Sequence, residues 1–172
     1  MAFATGCKSA PPTQYFTVSM DRAAQAPPAL NVTVDRFRAS EALARPQILI
    51  KKSPTQVDYY LAQEWAAGVD ELVEQKLRAE LGAPREGLRE IVVAGEVLSF
   101  EQVDVAGGAE AHLKLLVQFR ENAGSRYDQA LLEKTYDMRK PAASATAAAV
   151  VEALSAALED AAAEIARDAA TL

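Results

Sequence analysis

The chain has one cysteine, Cys7, and one histidine, His112, among its 172 residues. A single cysteine cannot form an internal disulfide bond, and a single histidine cannot supply a zinc site that uses several histidines. A serine hydrolase would need His112 beside one particular serine, and the G-x-S-x-G motif that presents such a serine is absent. The glycine-rich motifs that bind nucleotide phosphates are absent as well. The sequence therefore contains no motif that supports a catalytic function or a bound cofactor.

Long apolar runs and an excess of basic residues are also missing. No run approaches the ~18 consecutive apolar residues that a membrane-spanning helix needs. Acidic residues number 24 and basic residues 18, and the resulting net charge of −6 argues against binding to nucleic acid. Among the many carboxylates, only Glu96 lies within a mostly hydrophobic strand, and we expect its side chain to face outward. Half of the residues are hydrophobic, so we expect one globular domain with a single core.

What the sequence does have is a distinctive pattern around Cys7. Small residues precede it (Ala4-Thr5-Gly6), and a polar stretch with two prolines follows over residues 8–13. This pattern is typical of the processing site of a bacterial lipoprotein, where the thiol receives a diacylglycerol. The alternative is a cysteine without function in a disordered tail. Six residues before Cys7 are too few for a charged and an apolar leader segment, so we expect either residues further upstream or a trimmed chain.

Residues 1–13 are therefore assigned to a signal remnant, a lipid attachment site at Cys7 and a flexible tether, and residues 14–172 to the folded domain. The first part of this domain predicts short strands. Residues 14–19, 30–38, 47–51 and 55–60 are β-prone or alternate between apolar and polar side chains. Residues 40–44 predict a connection or a short helical turn.

An apolar stripe predicts a helix from about Leu61 to Leu81. Spacings of three and four residues place six side chains on this stripe: Trp65, Val69, Leu72, Val73, Leu77 and Leu81. Gly82 ends the predicted helix, and Pro84 prevents its resumption. A tryptophan on such a stripe belongs to a core more often than to a ligand site, so we expect Trp65 to be buried.

The second half predicts an antiparallel meander followed by a helix. The strands cover residues 90–105, 111–120 and 127–138, with turns at residues 106–109 and 122–125. The alternation changes phase near Gly95, which predicts a bulge. Residues 144–170 predict an alanine-rich helix on which Val151, Leu158, Ile165 and Leu172 recur every seven residues. This spacing fits a coiled coil, but we favour a helix packed on the sheet.

The predicted fold class is therefore α/β (α+β), with a mainly antiparallel sheet covered by two amphipathic helices in a single domain. The order of features resembles the ABC-type transport auxiliary lipoprotein family, the PqiC-like partners of MCE transport systems. The resemblance is carried by residues 44–51 (ARPQILIK), Trp65, the aromatic first strand at residues 15–18 (YFTV) and the alanine-rich last helix. It extends from Cys7 to the end of that helix.

This resemblance implies a non-enzymatic lipoprotein of a system that moves lipids between the inner and outer membranes. In such systems an ABC permease and ATPase supply energy, and an MCE-domain protein forms the conduit on which the lipoprotein docks. The resemblance further implies lipid attachment at Cys7 and a position on the periplasmic face of the bacterial cell envelope. Lys8, where an Asp would resemble an inner-membrane retention signal, favours the outer membrane. Whether the protein forms a homo-oligomer, and which residues bind a ligand, stays open.

Two other functions remain compatible with the sequence. A free-standing periplasmic module that binds a lipid or small ligand would require an apolar cavity under Trp65. A structural envelope lipoprotein would instead assemble through Val151, Leu158 and Ile165 of the last helix.

Overall fold

The computed structural model describes residues 11–21, 30–122 and 129–172, which form one mixed α+β domain. Within these residues a seven-stranded sheet carries two helices. The strands are β1 (Gln14–Phe16), β2 (Asn31–Ala39), β3 (Gln47–Ser53), β4 (Gln56–Trp65), β5 (Glu90–Val105), β6 (Gly108–Glu121) and β7 (Leu132–Pro141). The helices are α1 (Val69–Leu81) and α2 (Ala147–Ala169), and one 3₁₀ turn, Glu41–Leu43, connects β2 to β3.

The sheet is organised around β5, which is long enough to pair with two strands along one edge. β2 runs parallel to its first half, with Asn31 opposite Glu90, and β3 runs parallel to its second half, with Ile50 opposite Gln102. On the other edge, β5, β6 and β7 form the predicted antiparallel meander. β4 pairs antiparallel with β3, and β1 adds to β4 in parallel. Most paired residues are thus antiparallel, as predicted, whereas the parallel pairings of β1, β2 and β3 were not predicted.

Both helices pack on one face of this sheet and share its hydrophobic core. The alternation of β5 and β6 directs Ile91, Val93, Leu113 and Leu115 into that core, where they are fully buried. Thr146 caps α2 by accepting a hydrogen bond from the backbone N–H of Ala149.

The seven-residue repeat of α2 faces the core of the protein. Val151, Leu158 and Ile165 are buried, and Leu172, which is half-buried, lies beyond the end of the helix. The preferred interpretation, a helix packed on the sheet, is therefore confirmed. These side chains are not exposed for the coiled-coil assembly that a structural envelope lipoprotein would require.

The predicted helix over residues 61–81 is wrong in its first part. Residues up to Trp65 belong to β4, and α1 begins only at Val69, after an N-cap at Gly68. The spacing of four between Trp65 and Val69 fits a helix, but backbone hydrogen bonds decide otherwise. The Trp65 N–H donates to the carbonyl of Pro46, which holds it at the end of the sheet. The predicted end at Gly82 is confirmed, since that residue is the C-cap with a φ of 80°.

Other boundaries shift by a few residues. β1 ends at Phe16 rather than at residue 19, and β7 begins at Leu132 rather than at residue 127. Most of the predicted turn at residues 122–125 lies outside the described residues. The change of phase predicted near Gly95 is a bulge of β5 between Val97 and Ser99.

Candidate functional site

An open groove lined by three arginines lies on the face of the sheet opposite the helices. It forms where β2, β5 and β6 meet, and its volume is about 580 Å³. We call it the arginine groove, and its charged lining consists of Asp35, Arg36, Arg38, Glu96 and Arg120. Its lining carries three positive and two negative groups, although the chain as a whole is acidic.

One extra residue in β2 sets the position of the first two arginines. The register between β2 and β5 shifts between Val34 and Phe37, so β2 spans three residues where β5 spans two. A bulge of this kind turns side chains toward new directions. Here it buries Phe37 and leaves Arg36 and Arg38 exposed.

Helix α1 stabilises this bulge from the other side. Glu74 accepts a hydrogen bond of 2.8 Å from the backbone N–H of Phe37, and Arg78 donates one of 3.3 Å to the carbonyl of Val34. Glu74 and Arg78 also form an ion pair of 2.9 Å with each other. The backbone groups that the bulge removes from the ladder are therefore satisfied by side chains.

Gly95 allows β2, β5 and β6 to approach closely beneath the groove. A Cβ atom at this position would lie 1.9 Å from the carbonyl oxygen of Leu116 and 3.2 Å from the ring of Phe37. No side chain fits there, which is why glycine interrupts an otherwise β-branched strand.

The three guanidinium groups keep hydrogen-bond donors available. Arg36 and Arg38 form no ion pair within the residues that the structure describes. Arg120 donates from Nη2 to Gln118, but its Nε is buried and has no partner among the described residues. Exposed guanidinium groups without a carboxylate partner, here Arg36 and Arg38, favour the binding of an anion in the groove.

The sequence analysis did not identify these arginines as a site. Arg120 is 82 residues beyond Arg38, and nothing local connects them. A signal was present, however. The strict alternation of β2 ends at Val34, and the following Asp35-Arg36-Phe37-Arg38 places two arginines around one apolar residue.

His112 lies between two carboxylates on the same face of the sheet. Its Nδ1 is 3.1 Å from Glu101 and its Nε2 is 3.0 Å from Asp137, which also pairs with Lys114 at 3.2 Å. Burial raises the pKa of Asp137, but hydrogen bonds from Lys114 and His112 outweigh that effect and hold the pKa below its ordinary value. Both ring nitrogens of His112 therefore lie within hydrogen-bond distance of a carboxylate.

The other residues considered from the sequence lie apart from this histidine. Glu96 is exposed and faces outward, as expected, at the arginine groove. Trp65 is buried, as expected, with its ring 5.0 Å from that of Phe100. Cys7 lies outside the described residues. Among those that are described, no three Asp, Glu, His or Cys side chains are placed to hold a metal ion.

A second open groove, of about 890 Å³, runs beside Trp65. Its lining is charged as well as apolar, and includes Arg36, Arg38, Arg45, Asp70 and Glu74. This groove is therefore not the apolar cavity under Trp65 that a free-standing lipid-binding module would require.

The N-terminal segment over residues 14–21 forms hydrogen bonds with both helices. The backbone N–H of Ser19 donates to the hydroxyl of Ser155 on α2 at 3.0 Å. The ammonium group of Lys76 on α1 donates to the carbonyl of Asp21 at 2.7 Å. Residues 14–21 are thus part of the folded domain.

The fold and the groove define an α+β domain that presents a charged, open surface. Residues 17–166, most of the chain, match the model of a family described as the ABC-type transport auxiliary lipoprotein component. The chain belongs to this family, and the resemblance found in the sequence is confirmed.

Two crystal structures share the fold. One is protein XCC0632 of Xanthomonas campestris, assigned to family DUF330, which is 18% identical with a TM-score of 0.73 over 88% of this chain and 92% of that one. The other is described as an uncharacterized protein and is 14% identical, with a TM-score of 0.66 over 92% of this chain and 99% of that one. At these identities the likeness shows the fold alone. None of the curated proteins matches this chain.

Proposed function

We propose that the protein is a membrane-anchored, non-enzymatic component of an MCE-type ABC transport system that moves lipids between the inner and outer membranes. The match of residues 17–166 to the auxiliary lipoprotein family carries this proposal. In the proposed arrangement the domain lies in the periplasm, at the outer membrane, and docks on the MCE-domain conduit. The permease and the ATPase supply the energy at the inner membrane.

Cys7 is the proposed anchor. A diacylglycerol on its thiol together with an N-acyl chain gives several hydrocarbon chains, and stable attachment needs more than one. Neither α1 nor α2, the helices within the described residues, combines the length and apolar composition needed to cross a bilayer. Because Cys7 precedes the first strand by seven residues, its modification does not disturb the core.

The arginine groove is the proposed docking surface, and its occupant is an acidic segment of the MCE-domain conduit. Charge complementarity supports this assignment, because Arg36 and Arg38 are exposed and form no ion pair within the described part of the chain. Guanidinium groups bind carboxylates through paired, charge-assisted hydrogen bonds. Such contacts give an interface its specificity and orientation.

No chemical step is needed for this role. The domain holds the conduit beside the membrane that carries the anchor, and the energy comes from ATP hydrolysis elsewhere in the assembly.

Co-purification from the native host tests both parts of the proposal. The full-length protein, tagged after Leu172, is recovered from detergent-solubilised membranes, and its partners are quantified by mass spectrometry. We expect the conduit, permease and ATPase with the wild type, and at least about a tenfold lower recovery of the conduit after Arg36→Glu plus Arg38→Glu. Arg167→Glu, an exposed arginine on α2, is the matched control.

The outcomes separate the two claims. Equal recovery from the groove variant and from the Arg167→Glu control would remove the arginine groove from the interface. Absence of all three transporter proteins from the wild-type preparation would contradict the proposed function itself.

A further inference from the structure

One edge of the sheet is free over most of its length. β1 pairs only with the last three residues of β4, so residues 56–62 have no neighbouring strand on that side within the described residues. Two large apolar side chains on this free edge point into solvent, Val57 with 54% and Leu61 with 98% of its surface exposed. The register shift of β4 opposite Ile48 forms a bulge that contains Leu61.

The chain enters the domain beside this free edge. β1 runs parallel to β4, with Gln14 opposite Gln63. Leu61 is two residues before Gln63, so the Cα atoms of these two residues are at most about 7 Å apart. The most exposed leucine of the described residues is therefore next to the point where the predicted tether reaches the sheet.

The length of the tether limits how the domain can lie on a membrane. Six residues lie between Cys7 and Gln14, so the Cα atoms of these two residues are at most about 25 Å apart when the chain is fully extended. The register of β3 with β4 and β5 places Tyr15 level with Ser99. Glu90, at the far end of β5, is about 30 Å further along the strand and lies beyond that reach. The free edge of β4, by contrast, lies within it.

We propose that the free edge of β4 contacts the lipid bilayer in which Cys7 is anchored, with Leu61 and Val57 inserted among the headgroups. This contact rests on the lipid attachment in the proposed function. Lys51, the cross-strand neighbour of Val57, forms no ion pair within the described residues and lies at the right place to meet lipid phosphates. The contact turns the domain so that its sheet stands on one edge and the arginine groove stays accessible to the conduit.

A vesicle experiment tests this contact without relying on the cell to attach the lipid. Because Cys7 is the only cysteine, a maleimide that carries one tetradecyl chain couples to it alone. One such chain binds membranes weakly and reversibly, so a second contact changes the partition measurably. The coupled full-length protein is mixed with phosphatidylcholine vesicles, and the bound fraction is measured by flotation.

We expect Leu61→Asp to lower the partition coefficient about tenfold, because a leucine side chain loses most of its apolar contact. Val57→Asp lowers it in the same direction. Leu131→Asp is the matched control and changes it less than twofold, since this exposed leucine lies just before β7, at the opposite edge of the sheet. An unchanged partition for Leu61→Asp, or an equal fall for Leu131→Asp, overturns the proposal.

Two further measurements keep the outcomes distinct. Thermal unfolding of the three variants in solution verifies that each is folded, as expected for exposed positions. Lipid attachment at Cys7 in the cell is measured separately, so its absence would remove the proposed anchor while the vesicle result would still report on the surface of β4.

Discussion

The ammonium nitrogen of Lys76 lies 2.7 Å from a carboxylate oxygen of Glu80, and the two side chains are 0% and 2% exposed. The same nitrogen lies 3.0 Å from Glu159 on α2. Burial lowers the pKa of Lys76, but the hydrogen bonds to Glu80 and Glu159 outweigh burial and raise it overall. With its bond to the carbonyl of Asp21, Lys76 joins α1, α2 and the N-terminal segment at one charged centre.

Removal of this ammonium group is expected to destabilise the domain strongly. Lys76→Met takes away the charge that compensates buried carboxylate, and breaking a buried pair in this way costs about 3–5 kcal/mol. Lys52→Met removes a pair with Asp104 that is largely exposed to solvent and costs less than about 1 kcal/mol. Urea unfolding at pH 7 measures both, and similar small losses for the two variants would contradict a structural role for Lys76.

Trp65 is expected to contribute to the core from the end of β4. Trp65→Ala removes a ring that packs against Phe100 and should cost about 3–5 kcal/mol of unfolding free energy. Leu61→Ala, four residues earlier in the same strand, should change it by no more than about 0.5 kcal/mol because Leu61 is exposed. An unchanged melting midpoint for Trp65→Ala would contradict a role for this tryptophan in the core and would favour a role in binding.

Gly95 is expected to tolerate no side chain. In Gly95→Ala the new Cβ meets a backbone carbonyl oxygen of β6, so the strands must separate, at a cost of about 1–3 kcal/mol or more. Gly108→Ala is the matched control within the same hairpin, because no atom lies within 4 Å of its added Cβ. Equal melting midpoints for the two alanine variants would show that the close approach of the strands at Gly95 does not limit the stability of the domain.

Stability in acid is expected to depend on Asp168. One of its oxygens accepts hydrogen bonds from Lys134 at 2.7 Å and from the Tyr136 hydroxyl at 2.6 Å. Burial raises the pKa of Asp168, but the bonds from Lys134 and Tyr136 outweigh it and hold the pKa below its ordinary value. This stabilisation is complete above the unfolded pKa of about 3.9 and is lost as the pH falls through the lower folded value.

Asp168→Asn isolates this contribution. The free energy of unfolding of the wild type should exceed that of Asp168→Asn at pH 7, and the difference should shrink below about pH 4. Denaturant unfolding at pH 7, 5, 3 and 2 measures it. A difference that stays constant over this range would show that the carboxylate is not stabilised in its charged form.

The sequence predicts most strands of this fold because one face of each is buried. The clean alternation of β6 reports a polar and an apolar face, and its predicted and observed bounds differ by only a few residues. The start of α1 could not be predicted in the same way. Trp65 and Val69 fit helical spacing, and only the pairing of β4 with β3 and β1, distant in sequence, fixes the boundary.

Neither the pairing partners of the strands nor the arginine groove could be predicted from local sequence patterns. β2 and β5 pair in parallel, so that Asn31 lies opposite Glu90 although the two residues are far apart in sequence. Hydrophobic periodicity does not indicate which distant strands pair. The arginine groove likewise depends on Arg38 of β2 and Arg120 of β6 lining one surface on either side of β5. Cys7, in contrast, is a prediction from local sequence alone, and it lies outside the described residues.

The attachment of lipid to Cys7 is the central claim, and metabolic labelling with a clickable fatty acid tests it most directly. The full-length gene is expressed in the original host, and the cells are fractionated. The wild type should carry the label and sediment with the outer membrane, whereas Cys7→Ser should carry none and remain an unprocessed precursor. A wild type that takes no label and stays soluble in the periplasm would contradict the anchor.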